Sequence, residues 1–223
     1  MHVIPEEMAQ QIFRKTRAFF KGDVKSFNKL YTDDTEGDLP LPTSEKVWDR
    51  WSNQLTAKSA VEKYRKENKG ETLLQYGQAL HAMRQGERAG NCLEMACVAM
   101  AIAVESAVPK ECQFLGAITD PGDHCFLVIN AQKPAWKTVR EMTARAAGSW
   151  VIDPWSRTCC SGEYYQAAFC AMLARWTRQG KRIRVESKHH DFRGWSAPTD
   201  LIYMRGFQEG PLAFYGITST TFG

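Results

Sequence analysis

The sequence predicts an α+β fold: helices in the first half, and a strand-bearing second half packed on one buried helix. Three observations predict it. Apolar residues recur at helical spacing through residues 1–87. A nearly uncharged helical pattern then fills residues 92–106, where only Glu94 and Glu105 carry charge. Beyond Pro109 the period shortens to that of strands, and Asp120-Pro-Gly-Asp123 is a strong turn between two apolar runs. With 223 residues, 43% of them hydrophobic, the chain is long enough to bury a sizeable core in one ordinary domain.

In order, Pro5-Glu6-Glu7 makes a good first helical turn, with a pre-set proline and acids near the positive end of the dipole. Met8, Ile12, Phe19 and Phe20 form its apolar face. Gly22-Asp23 ends it, and Val24, Phe27, Leu30 and Tyr31 predict a second short helix. Residues 32–43 are acidic, with two prolines and a glycine, and read as a linker. They divide an N-terminal helical extension, 1–43, from a main domain, 44–223. Thr43-Ser44-Glu45 opens the next helical pattern, which continues through Leu80 with a break near Gly70.

Counted from Leu93, the apolar residues Ala96, Cys97, Met100, Ala101 and Val104 fall at offsets of one helix face. Residues 112–119 and 124–129 then predict a hairpin, in which His124, Phe126 and Val128 share a face. The basic, alanine-rich residues 130–149 predict a mobile insertion with one helical stretch, 138–147. Residues 150–153 predict a short strand stopped by Pro154. A helix through Tyr164, Phe169, Leu173 and Trp176 follows, then a strand over 182–186. In the tail, 201–204 and 212–215 are strand-like.

Charge and cysteine usage exclude several functions. The net charge of +4, from 29 basic and 25 acidic residues, is small and scattered, which does not indicate nucleic-acid binding. Lys181-Arg182-Ile-Arg184 reads as a solvated strand face. Seven cysteines without a CxxC motif fit reduced thiols in a cytosol, not a disulfide scaffold. No apolar run approaches the roughly 18 residues of a membrane span, and the N-terminus lacks signal-peptide features. Glycine-rich phosphate loops are absent. His189-His190-Asp191 with Cys159-Cys160 lacks the spacing of structural zinc sites, so neither metal nor cofactor is expected.

The chemistry centres on Cys92. Gly90-Asn91 delivers this thiol to the first position of the apolar helix, where the helix dipole favours a thiolate. His124 begins a strand and Asp153 ends one. Acyl transfer by a thiol needs these three types: a nucleophile, a base within hydrogen-bond reach, and a carboxylate to orient the base. Paired neighbouring strands would let His124 and Asp153 meet, and the Cys92 N–H could donate to an oxyanion. Taken singly, each residue also has a structural explanation, as core thiol, turn cap or turn aspartate. It is their joint occurrence that points to a site.

Residues 90–96 (GNCLEMA), 122–129 (GDHCFLVI) and 150–155 (WVIDPW) resemble three blocks of papain-like and transglutaminase-like cysteine enzymes, most closely bacterial effector and toxin domains. The resemblance covers roughly residues 85–160. It implies a papain-like fold, with a central helix carrying the nucleophile on an antiparallel sheet, and a catalytic triad of Cys92, His124 and Asp153. It implies a cysteine hydrolase acting on amides of a protein substrate, as protease or glutamine deamidase. The same triad would also serve a transglutaminase or an acyltransferase, and a non-catalytic partner-binding module could keep the fold. A host protein as substrate, a secretion chaperone docking on the N-terminal helices, and export from a bacterium into a host cell follow from the resemblance alone. Gln85 is an upstream glutamine of the sort these enzymes use at the oxyanion, although no family motif surrounds it.

Overall fold

A computed structural model describes residues 5–21, 29–31, 45–119, 124–186 and 193–220. Helix α1 (Glu6–Phe19) is followed by strand β1 (Lys29–Tyr31), helix α2 (Glu45–Glu67) and helix α3 (Leu73–His81). Next come α4 (Cys92–Glu105), β2 (Gln113–Ile118), β3 (His124–Ile129), α5 (Val139–Arg145) and β4 (Trp150–Asp153). The chain continues with β5 (Thr158–Ser161), α6 (Tyr165–Arg178), β6 (Lys181–Glu186), β7 (Arg193–Ser196), α7 (Leu201–Glu209) and β8 (Leu212–Gly216). The fold is α+β. A five-stranded antiparallel sheet has the order β5-β4-β3-β2-β8, and a three-stranded sheet has the order β1-β6-β7.

Helix α4 is the axle. Eleven of its residues are buried, from Cys92 to Ala103, and it packs against α1, α3, β3 and β4. Its uniform apolarity follows: a helix covered on nearly every side has no polar face to keep. At its far end Ala107 adopts the left-handed conformation (φ 61°), and Val108 N–H bonds back to the Ala103 carbonyl, closing the helix before Pro109. Helix α3 begins with a capping box, in which the Thr72 hydroxyl accepts from Gln75 N–H and the Gln75 side chain accepts from Thr72 N–H.

The α3–α4 contact is close because Gly77 lacks a side chain. A Cβ there would sit 2.1 Å from the Cys97 carbonyl oxygen, a backbone atom that cannot swing aside. Gly77→Ala is therefore expected to cost at least about 1–3 kcal/mol, the usual cost of forcing extra atoms into a packed core. Urea denaturation checks this, and an unchanged midpoint would show that the two helices can separate freely.

Helix α1 belongs to the same core. Ala9, Ile12 and Thr16 are buried, the Gln10 side chain donates to the Cys159 carbonyl (3.2 Å), and Arg17 donates to the Pro154 carbonyl (3.2 Å). The linker predicted at residues 32–43 lies outside the described residues, as does the hairpin turn 120–123.

Four expectations are corrected. The short helix predicted through Tyr31 is wrong at residues 29–31, which form β1, paired antiparallel with β6. Here sheet pairing overrides local spacing. Residues 130–149 are no loose insertion, because Val139, Met142 and Ala146 line one buried face of α5 and its end. Residues 201–204 are not a strand but open α7, where the Asp200 carboxylate accepts from Ile202 N–H (2.9 Å). Lys181 is buried, with its ammonium 5.0 Å from the centre of the Trp176 ring, rather than on a solvated strand face. No helix among the described residues is long and apolar enough to cross a membrane.

Candidate active site

The site forms where the start of α4, the start of β3 and the end of β4 come together. Cys92 is the first residue of α4, set there by Asn91 in extended conformation. Strands β3 and β4 pair antiparallel with Leu127 opposite Ile152. One step further in this register, Phe126 comes opposite Asp153. His124 lies two residues beyond, on the same strand face, so His124 and Asp153 are diagonal neighbours within side-chain reach.

All three predicted residues meet. His124 Nε2 lies 2.8 Å from Asp153 Oδ2, and the Cys92 thiol is hydrogen-bonded to the same imidazole. With Nε2 turned to the carboxylate, Nδ1 is the ring nitrogen left for the thiol. The Asp153 and His124 side chains are 0% and 2% exposed, and Cys92 is 6% exposed. The other carboxylate oxygen, Oδ1, accepts from Ser156 N–H (3.0 Å), so the turn after β4 fixes the carboxylate in place.

Burial alone would lower the basicity of His124. The adjacent Asp153 carboxylate, its hydrogen bond and the Cys92 contact outweigh this and raise the imidazole to about 9. Burial would likewise raise Asp153, but the His124 charge and the hydrogen bonds from His124 and Ser156 hold it below the usual carboxylate range. A charged imidazolium between a carboxylate and a thiol is the state that supports a thiolate.

Sequence reasoning missed Tyr165. Its buried hydroxyl donates to Asp153 Oδ2 (2.8 Å) and lies 3.3 Å from His124 Nε2. Burial, then the neighbouring Asp153, push its phenol up, so it acts as a donor. The only sequence sign of it is an aromatic at the start of α6. Aromatic rings close around the imidazole: Trp155 at 4.9 Å, Phe169 at 5.1 Å and Phe126 at 5.9 Å between centres. Trp155 is a buried wall residue that also meets Trp176 edge-on.

A second missed feature holds the first turn of the helix that begins at Cys92. The fully buried Glu94 carboxylate takes Arg65 Nε at 2.8 Å and Nη2 at 3.2 Å, the Tyr76 hydroxyl at 3.1 Å and Asn91 N–H at 3.0 Å. Burial works against the Arg65 charge, but Glu94 overrides it and Arg65 is raised. Three separate elements, α2, α3 and the turn before α4, are thereby tied two residues from Cys92.

Gln85 is exposed, in a turn seven residues upstream of Cys92. His189, His190 and Asp191 lie outside the described residues. Among the described residues no group of three or more His, Cys, Asp or Glu side chains could hold a metal. Cys159 and Cys160 are half-buried on β5, and burial pushes both thiols up to about 12. Comparisons with family models, curated proteins and solved structures find no match to this chain.

Proposed function

We propose that the chain is a papain-like cysteine hydrolase that cleaves amide bonds of a protein substrate through a thioester. The observation that carries this reading is the buried line Cys92–His124–Asp153, with the imidazole charged between thiol and carboxylate. In this reading Cys92 Sγ attacks the amide carbonyl and the oxyanion gathers at the start of α4. There first-turn N–H groups lack intrahelical acceptors, and the dipole favours negative charge. The His124 imidazolium passes its proton to the departing amine, leaving an acyl-Cys92 thioester. Water, losing its proton to His124, then displaces the thiolate and releases the acid. Asp153, held by Ser156 and Tyr165, keeps Nε2 occupied and the ring aimed.

A main-chain amide makes this a protease and a glutamine side chain makes it a deamidase. The triad serves both. Assignment to a bacterial effector or toxin, with a host-cell protein as target, rests on the sequence resemblance in residues 85–160.

Intact-mass analysis of candidate target proteins, incubated with wild type or Cys92→Ala, tests the reading. Cleavage fragments would identify a protease, and a gain of one carboxylate in place of an amide would identify a deamidase. Each must vanish in Cys92→Ala. Asp153→Asn should lower turnover by about 10²–10⁴-fold. A wild type with no Cys92-dependent product across a proteome would overturn the proposal.

A further inference from the structure

The triad carboxylate serves two donors on one oxygen. Asp153 Oδ2 accepts from His124 Nε2 at 2.8 Å and from the Tyr165 hydroxyl at 2.8 Å, while Oδ1 takes Ser156 N–H at 3.0 Å. Orienting the imidazole needs only the first of these bonds. The Tyr165 oxygen also lies 3.3 Å from His124 Nε2, so the phenol touches both members of the pair. Tyr165 opens α6 and is fully buried, its ring 4.7 Å from Phe126 and 5.8 Å from both Phe169 and Phe207 between centres. Packing against three rings fixes where the hydroxyl oxygen sits.

Charge around the imidazole is sparse. Cys92 faces it from α4, Asp153 from β4 and Tyr165 from α6. Behind these, Cys160 on β5 bears on Asp153 and Tyr165, and Tyr203 on α7 bears on Tyr165. Burial, then Asp153, push the Cys160 thiol up to about 12, so it stays neutral. The imidazole proton is thus held between Asp153 and Cys92. Once Cys92 is acylated its charge is gone, and Asp153 alone retains the proton. A carboxylate of full charge grips a neighbouring imidazolium, and a protonated Nδ1 takes no proton from water. A second donor on Oδ2 spreads the carboxylate charge and loosens that grip.

We propose that Tyr165 is a positioning residue for the second half of the reaction: by sharing Oδ2 it loosens the hold of Asp153 on the His124 imidazolium, so that a neutral imidazole meets the thioester. The inference rests on the proposed cysteine hydrolase. In the step concerned, water adds to the acyl carbon and gives a proton to His124 Nδ1. The carbon–sulfur bond then breaks, Cys92 leaves as thiolate beside the imidazolium, and the acid is released. Acylation uses the charged pair instead, so Tyr165 acts oppositely on the two halves.

para-Nitrophenyl acetate, whose leaving group needs no proton, isolates the water step on the full chain. Cys92 Sγ takes the acetyl group, para-nitrophenolate leaves, and intact mass then follows the loss of acetyl at a series of pH values. In wild type this rate should rise with pH through one titration and require His124. In Tyr165→Phe the midpoint should lie about one pH unit higher, with the rate below it about tenfold lower and acetylation no slower. Tyr165→fluorotyrosine, a stronger donor, should move the midpoint down, and it decides the matter if Tyr165→Phe does not fold. A midpoint unmoved by these variants, or both steps slowed equally at every pH, would reduce Tyr165 to an anchor and overturn the proposal. A chain that takes no acetyl at Cys92, or sheds it equally fast in His124→Ala, sinks the hydrolase and this proposal with it. Loss of acetyl that requires His124, with fixed midpoints, sinks only the role of Tyr165.

Discussion

At pH 6, iodoacetamide should label Cys92 faster than the other cysteines of the native chain, and His124→Ala should slow that labelling by about 100-fold or more. The expectation compares two thiol environments. An ordinary cysteine near pKa 8.5 is only about 0.3% thiolate at pH 6, so a thiol without an imidazolium partner reacts slowly. Burial raises the thiols of Cys97, Cys112, Cys159, Cys160 and Cys170, which removes them from competition. Cys92, by contrast, is hydrogen-bonded to a charged imidazole. The pH dependence follows with its sign. His124 is raised from 6.5 to about 9, so its pairing with Asp153 is fully present below about 6.5 and lost as pH rises through about 9. Asp153 is depressed, so its contribution is present above about pH 4 and lost as pH falls through its lowered native value. Turnover should accordingly fall on an alkaline limb near pH 9, where the proton for the leaving amine is gone. Labelling of Cys92 with the pH profile of a free cysteine, unaffected by His124→Ala, would remove the catalytic assignment.

Glu94→Ala should destabilise the fold by about 3–5 kcal/mol, the usual result of removing one partner from a buried charge pair. The carboxylate is fully buried and accepts from Arg65, Tyr76 and Asn91 N–H. Its loss takes one shared acceptor from three donors, and each hydrogen bond to a charged group is worth about 1.5–3 kcal/mol. Arg65 keeps a third of its side chain in solvent and recovers part of its share. Glu94→Gln should cost less, because the amide oxygen still accepts from one donor. Because Asn91 sets the turn that carries Cys92, pH 6 labelling should also slow in Glu94→Ala at temperatures where the chain is folded. Chemical denaturation and labelling measure the two effects separately. A stability loss below about 1 kcal/mol would mean that the cluster holds nothing in place.

The parts of this design legible in the sequence are those written locally. Helix α4 announces itself by periodicity and by Pro109 after it. The hairpin shows through the turn residues between two apolar runs, and Asp153 through the proline that stops its strand. The triad could be assembled because its members sit at element ends, where side-chain chemistry is not masked by packing. What could not be read depends on partners distant in sequence. Glu94 looks like a solvated charge on an apolar helix until Arg65 and Tyr76 are brought to it from α2 and α3. Tyr165 is an unremarkable helix residue until α6 folds over β4. Leu201-Ile-Tyr-Met204 suits strand and helix equally as a short apolar run, and the Asp200 cap decides the matter. Lys181 lies in a basic run, and only the Trp176 ring explains its burial.

The attachment of α1 has a consequence for how the molecule is made. Gln10 bonds to Cys159 and Arg17 to Pro154, across 149 and 137 residues of chain. During synthesis the first helix leaves the ribosome long before its binding groove exists, and it must wait until the turn after β4 has emerged. Contacts that span so much sequence slow the closing steps of folding, since a long loop must be ordered before they form. Thiol reactivity at Cys92 should therefore arise late, as a property of the finished chain and not of its growing portions.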